Sequence, residues 1–291
     1  MPDIQQSLQQ ALAEWYAIER ELGHGATATV YLARDLKHNR SVAVKVLSPE
    51  LALAVRTERF LREIEIAAQL SHPHIVPLYD SGSASGFLYY VMPYVRGESV
   101  RDLLARGGPL PVEEALRIAR QVAGALDHAH RHGVIHRDIK PGNILLEEGH
   151  ARVADFGIAR AVTTEDSQIV TQTGVTIGTP AYMSPEQASG EPNLDRRTDI
   201  YSLGCVLYEM LAGAPPFTGL NVQSVLTKHL IEPVPPLREV RPDLSEEVAG
   251  LVELALAKNR DDRFATAAEF AEALALQGAG PLTPTRTQPV R

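Results

Sequence analysis

The sequence predicts an α+β fold in which a strand-rich first part is followed by a mainly helical second part. Strand-like segments recur as far as residue 94, and a single long helical pattern interrupts them. From residue 99 onward, apolar side chains recur at the spacing of amphipathic helices. A chain of 291 residues is long enough to form two lobes with separate cores.

The first part opens with a short amphipathic helix, because Ile4, Leu8, Leu12 and Trp15 follow one another at helical spacing. This helix, within residues 1–15, is expected to pack on the body of the protein. Five strands and one further helix should follow. The strands are predicted at residues 16–22, 29–35, 41–46, 76–81 and 88–94, and the helix at residues 58–70.

The second part contains five helical patterns and one predicted hairpin. The helices are predicted at residues 112–132, 199–212, 222–229, 245–257 and 267–276, and the hairpin at residues 144–146 and 151–153. The first of these helices follows Pro111 and carries acidic residues in its first turn, where the helix dipole favours them. Residues 276–291 are rich in Pro and Thr. This composition predicts either a flexible tail or the start of a linker.

Composition excludes several classes of protein. A net charge of -8 argues against a nucleic-acid partner, which usually meets a basic face. The one cysteine, Cys205, cannot form an internal disulfide and lies in an apolar run, so we expect a buried thiol. Without a signal peptide or membrane-spanning run, the expected location is the cytoplasm. The chain could equally be the intracellular domain of a longer, membrane-anchored protein.

Two short motifs carry the chemistry. Residues 136–143 read His-Arg-Asp-Ile-Lys-Pro-Gly-Asn, and an Asp-Phe-Gly triplet follows at residues 155–157. This spacing resembles the catalytic signature of protein kinases. Over residues 16–275 the chain resembles the bacterial, eukaryotic-like (Hanks-type) serine/threonine protein kinases. That resemblance implies a two-lobed fold, with a small lobe at about residues 16–95 and a large, mainly helical lobe at about residues 96–275.

The residues of these motifs suit phosphoryl transfer. Asp138 would accept a hydrogen bond from the substrate hydroxyl, and Lys140 would neutralise charge on the transferred oxygens. Asn143 and Asp155 supply the oxygen ligands that Mg²⁺ prefers. The resemblance implies ATP and Mg²⁺ as cofactors, with Mn²⁺ able to substitute. A pseudokinase scaffold remains the alternative, and a small-molecule kinase is disfavoured by the full substrate-docking loop at residues 178–186.

A glycine-containing loop between the first two strands is the candidate phosphate site, because glycine lets the backbone approach phosphate closely. Its residues are Leu22, Gly23, His24, Gly25, Ala26, Thr27, Ala28, Thr29 and Val30. Ala28 replaces a glycine of the kinase pattern and is tolerated if its φ is negative. Lys45 ends an apolar run and therefore needs partners. The expected ones are the α- and β-phosphates and Glu63, whereas Glu65 faces elsewhere on the helix.

The adenine pocket is assigned by the resemblance. Met92 would be the gatekeeper, and Val95 would offer its backbone N–H to the base. Pro93 replaces a common glutamate but keeps the carbonyl that contacts the base. The ring would lie between Val30, Ala43 and Leu145.

The resemblance also assigns substrate and support residues. Lys140 and Thr179 are typical of serine/threonine kinases, with Thr179 bridging Asp138 and Lys140. Protein substrates are therefore expected, and relatives can also pair through their small lobes. Glu186 should form a buried ion pair with Arg263, and Asp199 should anchor the catalytic loop from a helix start, as an N-cap.

Regulation is expected between Asp155 and Glu186, where residues 163–176 are rich in hydroxyl side chains. Phosphate on such a loop can bind an arginine, and Arg137 is the candidate. Autophosphorylation is expected at Thr171 and Thr173, with Thr176 as a weaker candidate. A passive, solvated loop is the alternative.

Overall fold

The structure is a computed structural model that describes residues 4–25, 27–54, 57–156 and 180–278. In these ranges a five-stranded antiparallel sheet with its helices forms a small lobe, and a mainly helical large lobe follows it. The α+β prediction is therefore confirmed.

The small-lobe sheet has the strand order β1-β2-β3-β5-β4, and every neighbouring pair is antiparallel. Its strands are β1 Tyr16–His24, β2 Ala28–Asp35, β3 Arg40–Leu47, β4 Asp80–Ala84 and β5 Phe87–Pro93. In this register Lys45 of β3 lies between Val30 of β2 and Tyr90 of β5.

Three small-lobe helices pack around this sheet. They are α1 Ile4–Leu12, α2 Pro49–Ala54 and α3 Thr57–Ala68. Side chains alternate between the two faces of a strand. The outer face of the sheet packs against Leu8 and Leu12 of α1, both fully buried. The inner face carries Ala43 and packs against Phe60 and Ile64 of α3. Ala154 of the large lobe belongs to the same cluster, so this face of β3 and β5 is directed towards the large lobe.

The structure differs from the sequence analysis at two places in this lobe. The fourth strand was expected at residues 76–81 but is Asp80–Ala84. The Val76 N–H donates to the Val153 carbonyl rather than to a sheet neighbour, and its side chain is buried in the cluster that contains Phe60 and Ile64. Apolar character there reflects burial outside the sheet. The short helix α2 was missed, since six residues give too little periodicity to detect.

The large lobe is built around two long helices, α5 Val112–Arg131 and α7 Arg197–Ala212. Its other helices are α4 Val100–Gly107, α6 Pro185–Ala188, α8 Val222–Ile231, α9 Leu237–Val240, α10 Glu246–Ala255 and α11 Ala267–Gly278. Cys205 lies on α7 and is buried, and burial raises the pKa of its thiol. Within the described ranges, no helix is both long and apolar enough to span a bilayer.

A second, three-stranded sheet brings the two motifs together. The predicted hairpin forms as β7 Ile144–Glu147 and β8 His150–Val153, joined by β6 Glu98–Ser99. Strand β7 starts directly after Asn143, and β8 ends two residues before Asp155. Because the strands are antiparallel, this end of the hairpin holds both candidate metal ligands close together.

Candidate active site

The base of the site is a loop closed by backbone and histidine hydrogen bonds. The Ala154 N–H donates to the Asn143 carbonyl at 2.9 Å, and His136 Nε2 lies 2.8 Å from the Ala154 carbonyl. His136 is fully buried and packs its ring edge-on against Phe156. These contacts tie residues 136–143 to the segment that carries Asp155.

Asp138, Lys140 and Asn143 form one contact group at the mouth of this loop. Lys140 Nζ lies 2.6 Å from Asp138 Oδ2. The Asn143 amide donates from Nδ2 to the Asp138 carbonyl at 2.8 Å and to Oδ2 at 3.3 Å. The aspartate and lysine side chains are both partly exposed. A reacting group could therefore reach the carboxylate and the ammonium together.

Asp155 is held by two donors from the small lobe. Lys45 Nζ lies 2.5 Å from its Oδ2, and the Tyr90 hydroxyl donates to its Oδ1 at 2.6 Å. Burial alone would raise the pKa of Asp155, but the charge of Lys45 and the hydrogen bonds from Lys45 and Tyr90 lower it overall. The carboxylate therefore remains ionised, as a metal ligand must be.

The expected pairing of Lys45 with Glu63 is not what the structure contains. Among the ion pairs of the described residues, Lys45 is joined to Asp155 alone. Asp155 has a side chain only 11% exposed, whereas Glu63 is half-buried on α3. Burial of the Asp155 carboxylate makes a cation beside it favourable, which is consistent with Lys45 as its partner.

Two residues at the site have left-handed backbone conformations that are uncommon outside glycine. Arg137 has a φ of 68° and Asp155 a φ of 69°. Conformations of this kind persist where surrounding contacts hold them, and they concentrate at functional sites. At Arg137 the Gln187 side chain donates to the carbonyl at 2.8 Å.

Asp199 is the main anchor of the catalytic loop. It is fully buried, and its carboxylate accepts the backbone N–H groups of His136 at 2.9 Å and Arg137 at 2.8 Å. His130 Nε2 lies 2.7 Å from the same carboxylate. The expected N-cap role was wrong, because α7 begins at Arg197 and places Asp199 within its first turn. This position directs the carboxylate to the loop rather than to the helix terminus.

The candidate phosphate loop is the hairpin between β1 and β2. Gly23 pairs with Val30 and His24 with Thr29, and the His24 ring lies 2.8 Å from the Thr29 hydroxyl. A Cβ added at Gly23 would meet nothing within 4 Å, so there is open space beside this backbone. Ala28 is not among the described residues with positive φ, which is the condition under which its methyl is tolerated. Ala26 lies outside the described residues.

The candidate adenine residues share one apolar cluster at the inner face of the sheet. Ala43 and Met92 are buried, and the others are only partly buried, so apolar surface remains for a planar ring. The six residues are Leu22, Val30, Ala43, Met92, Val95 and Leu145.

The predicted ion pair of Glu186 and Arg263 is present and buried. Two hydrogen bonds of 2.8 Å join the guanidinium to the carboxylate. The predictions for Gly157, Thr171, Thr173, Thr176 and Thr179 concern residues outside the described ranges.

Sequence reasoning missed two supporting residues, Tyr90 and His130. The signal for Tyr90 was its place on β5 directly opposite Lys45, which only the strand register reveals. His130 carried no separate signal, because its partner Asp199 lies on another helix.

The donor set fits a divalent metal that phosphates help to bind. In the ranges the structure describes, no three His, Cys, Asp or Glu side chains converge on a metal site. Asn143 uses its Nδ2 within the loop, which leaves the amide oxygen as a possible ligand beside the Asp155 carboxylate. Mg²⁺ is commonly held by one or two side-chain oxygens, with phosphates and water completing the octahedron.

Comparisons with known proteins agree with this geometry. A sequence model described as the protein kinase domain matches residues 16–274. The serine/threonine-protein kinase PknB of Mycolicibacterium smegmatis is 47% identical over 268 residues, covering 90% of the chain and 42% of that protein. The protein of the same name from Mycobacterium leprae is 46% identical over 266 residues, covering 89% of the chain and 42% of that relative. The probable serine/threonine-protein kinase PknB of Bifidobacterium longum is 42% identical, covering 88% of the chain and 38% of that relative. The chain thus spans less than half the length of these relatives.

Proposed function

The chain belongs to the protein kinase family, and from that premise we propose that it transfers the γ-phosphate of ATP to serine and threonine hydroxyls of proteins. The observation that carries the proposal is the convergence of Asp138, Lys140, Asn143 and Asp155 around one loop, with Lys45 facing it. The names of its relatives, which are serine/threonine-protein kinases, support the choice of acceptor.

Asp138 would orient the acceptor hydroxyl by accepting its hydrogen bond, in line with the phosphate. Lys140 contacts the same carboxylate, and during transfer its ammonium would contact the transferred phosphate oxygens and neutralise their charge. Thr179 would bridge these two side chains, and with Lys140 it favours serine and threonine over tyrosine as acceptors.

Asn143 and Asp155 would hold a divalent metal, with Mg²⁺ as the proposed ion. When bound, the metal would neutralise phosphate oxygens and orient the triphosphate. Lys45 would exchange its contact with Asp155 for the α- and β-phosphates, with Glu63 as its second partner. The open space beside Gly23 supports the proposal that the β1–β2 hairpin covers the phosphates.

We assign the kinase domain to residues 16–275, with the lobes meeting near residue 95. Residues 1–15 would then be an added helix, and residues 276–291 a tail or linker. Dependence on ATP favours the cytoplasm as the compartment of this domain.

Regulation is proposed to come from autophosphorylation at Thr171 and Thr173, with Thr176 as the weaker candidate. The added phosphate would bind Arg137 and favour the Lys45–Glu63 arrangement. Incubation with Mg²⁺ and ATP, followed by phosphopeptide mass spectrometry, should find phosphate at Thr171 and Thr173. Unmodified threonines after incubation would contradict this mode of regulation.

Transfer of label from γ-labelled ATP tests the function itself. With Mg²⁺ present, label should appear on the chain and on a generic basic protein, and acid hydrolysis should yield phosphoserine and phosphothreonine. Nucleotide binding without transfer would identify the pseudokinase alternative. Label on an aminoglycoside but not on protein would identify a small-molecule kinase.

A further inference from the structure

We infer that Tyr90 is a positioning residue for Asp155, and that its hydroxyl fixes the carboxylate for divalent-metal binding. This inference rests on the proposed function, because it takes Asp155 as a metal ligand. It gives a role to a side chain outside the two catalytic motifs.

The geometry gives each oxygen of Asp155 a different donor. Tyr90 lies directly opposite Lys45 in the sheet, so both side chains extend from the inner face towards the large lobe. The Tyr90 hydroxyl donates to Oδ1 at 2.6 Å, and Lys45 Nζ donates to Oδ2 at 2.5 Å. Two donors on two oxygens define the rotation of a carboxylate as well as its place.

Packing alone does not require this hydroxyl. Tyr90 is fully buried in the apolar cluster with Phe60, Ile64 and Met92, where a phenylalanine ring would bury the same apolar surface. Burying a hydroxyl costs free energy unless it is hydrogen-bonded, and the partner that the structure gives it is Asp155. The Tyr90 hydroxyl therefore acts as a hydrogen-bond donor to Asp155, whereas its ring packs in the apolar core.

The neighbouring tyrosine supplies a comparison within the same strand. Tyr89 points to the outer face of the sheet, in the cluster with Leu8 and Leu12. Its hydroxyl makes no hydrogen bond within the part of the chain that the structure describes. Two adjacent tyrosines thus differ in whether the hydroxyl contacts the candidate site.

The neutral hydroxyl of Tyr90 is a better partner for a metal-binding carboxylate than a second cation would be. When Lys45 moves to the phosphates, Asp155 loses its charged partner, but a neutral hydroxyl remains and does not repel a metal ion. A carboxylate oxygen has two lone pairs, so a hydrogen bond on Oδ1 leaves capacity for a metal. Asp155 also has a φ of 69°, a conformation that needs outside contacts to persist.

The test compares Tyr90→Phe with the matched control Tyr89→Phe in the full chain. ADP affinity is measured by calorimetry across a Mg²⁺ titration, and again in EDTA. In Tyr90→Phe the Mg²⁺ concentration needed for half-maximal tightening of ADP binding should rise about 10–100-fold, the usual effect of losing a hydrogen bond behind a metal ligand. ADP affinity in EDTA should stay at the parent value, and Tyr89→Phe should match the parent in both measurements.

A double-mutant cycle separates positioning from general damage. In an Asp155→Asn background, Tyr90→Phe should change the Mg²⁺ requirement no further, since the oxygen it orients is no longer part of a carboxylate. An unchanged Mg²⁺ requirement in Tyr90→Phe, an equal loss of affinity in EDTA, or failure of the variant to fold would each overturn the inference. A parent protein whose ADP binding ignores Mg²⁺ would instead overturn the proposed function on which it rests.

Discussion

Lys45 shows how a charged side chain is kept in an apolar cleft. Its side chain is 19% exposed, and an unpaired ammonium there would cost several kcal/mol of folding free energy. Asp155 offsets that cost at 2.5 Å. If phosphates replace Asp155 as partner, the lysine stays paired throughout. We propose that its charge orients the α- and β-phosphates for transfer more than it strengthens nucleotide binding.

Lys45→Met tests whether this lysine contributes more to catalysis than to nucleotide affinity. The substitution keeps an unbranched side chain and removes the charge, so kcat should fall by about 10²-fold or more. Nucleotide affinity should fall by less than about tenfold, because adenine contacts remain. Steady-state kinetics and calorimetry with ADP give the two ratios. Lys37→Met, at an exposed position, is the control. An affinity loss as large as the kcat loss would contradict the assigned role.

At the scale of elements, the Glu186–Arg263 pair joins α6 to the turn that precedes α11. The pair is almost fully buried, at 3% and 0% exposure, and Thr198 of α7 adds a hydrogen bond to Glu186 at 2.8 Å. Burial alone would raise the pKa of Glu186, but the hydrogen bonds and charge of Arg263 lower it overall. Three separate elements thus depend on one ionised contact.

Arg263→Met should destabilise the protein by about 3–5 kcal/mol at neutral pH, because it leaves a buried carboxylate without its cation. The free energy of unfolding from urea titration measures this cost. Arg260→Met is a matched control three residues away, where the ion pairs with Glu191 and Asp195 are partly exposed. It should cost less than about 1 kcal/mol. Equal costs for the two variants would contradict the account of this pair.

Sequence periodicity predicted the elements better than it predicted their contacts. The five strands, the long helices and the hairpin were expected, since each repeats an apolar pattern along several residues. The fourth strand was misplaced because the Val76 N–H donates to the carbonyl of Val153, far away in sequence, and not to a strand of the sheet. The pairing of Lys45 with Asp155 and the hydroxyl of Tyr90 were not predicted for the same reason. They depend on how the two lobes meet, which no local pattern contains.

At the scale of the whole molecule, a buried histidine makes stability depend on pH. His229 of α8 is fully buried, with its Nδ1 2.9 Å from the Tyr201 hydroxyl and its ring against Phe217. Burial lowers the pKa of His229 to about 4, and the nearby charge of Lys258 adds to this effect. In the unfolded chain the pKa returns to about 6.5. The folded protein therefore favours neutral His229, a contribution that is complete above about pH 6.5 and is lost as the pH falls to about 4.

His229→Gln should flatten this dependence. In the parent, His229 should account for a decrease of about 3 kcal/mol in the free energy of unfolding between about pH 6.5 and pH 4. Glutamine does not titrate, so that share of the decrease should disappear. Denaturant titrations at several pH values provide the measurement. His150→Gln, at an exposed position, should keep the parental slope. An identical slope in His229→Gln would contradict the assignment.

The most direct test of the proposed phosphoryl-transfer centre is the rate of label transfer by Asp138→Asn. The measurement is the initial rate of γ-phosphate transfer to protein under saturating ATP and Mg²⁺. The account predicts a rate about 10²–10⁴-fold below the parent, because the amide is a poor proton acceptor for the substrate hydroxyl. Asp243→Asn, at an exposed surface ion pair, should keep the parental rate. Equal transfer by Asp138→Asn and the parent would contradict the central role of Asp138.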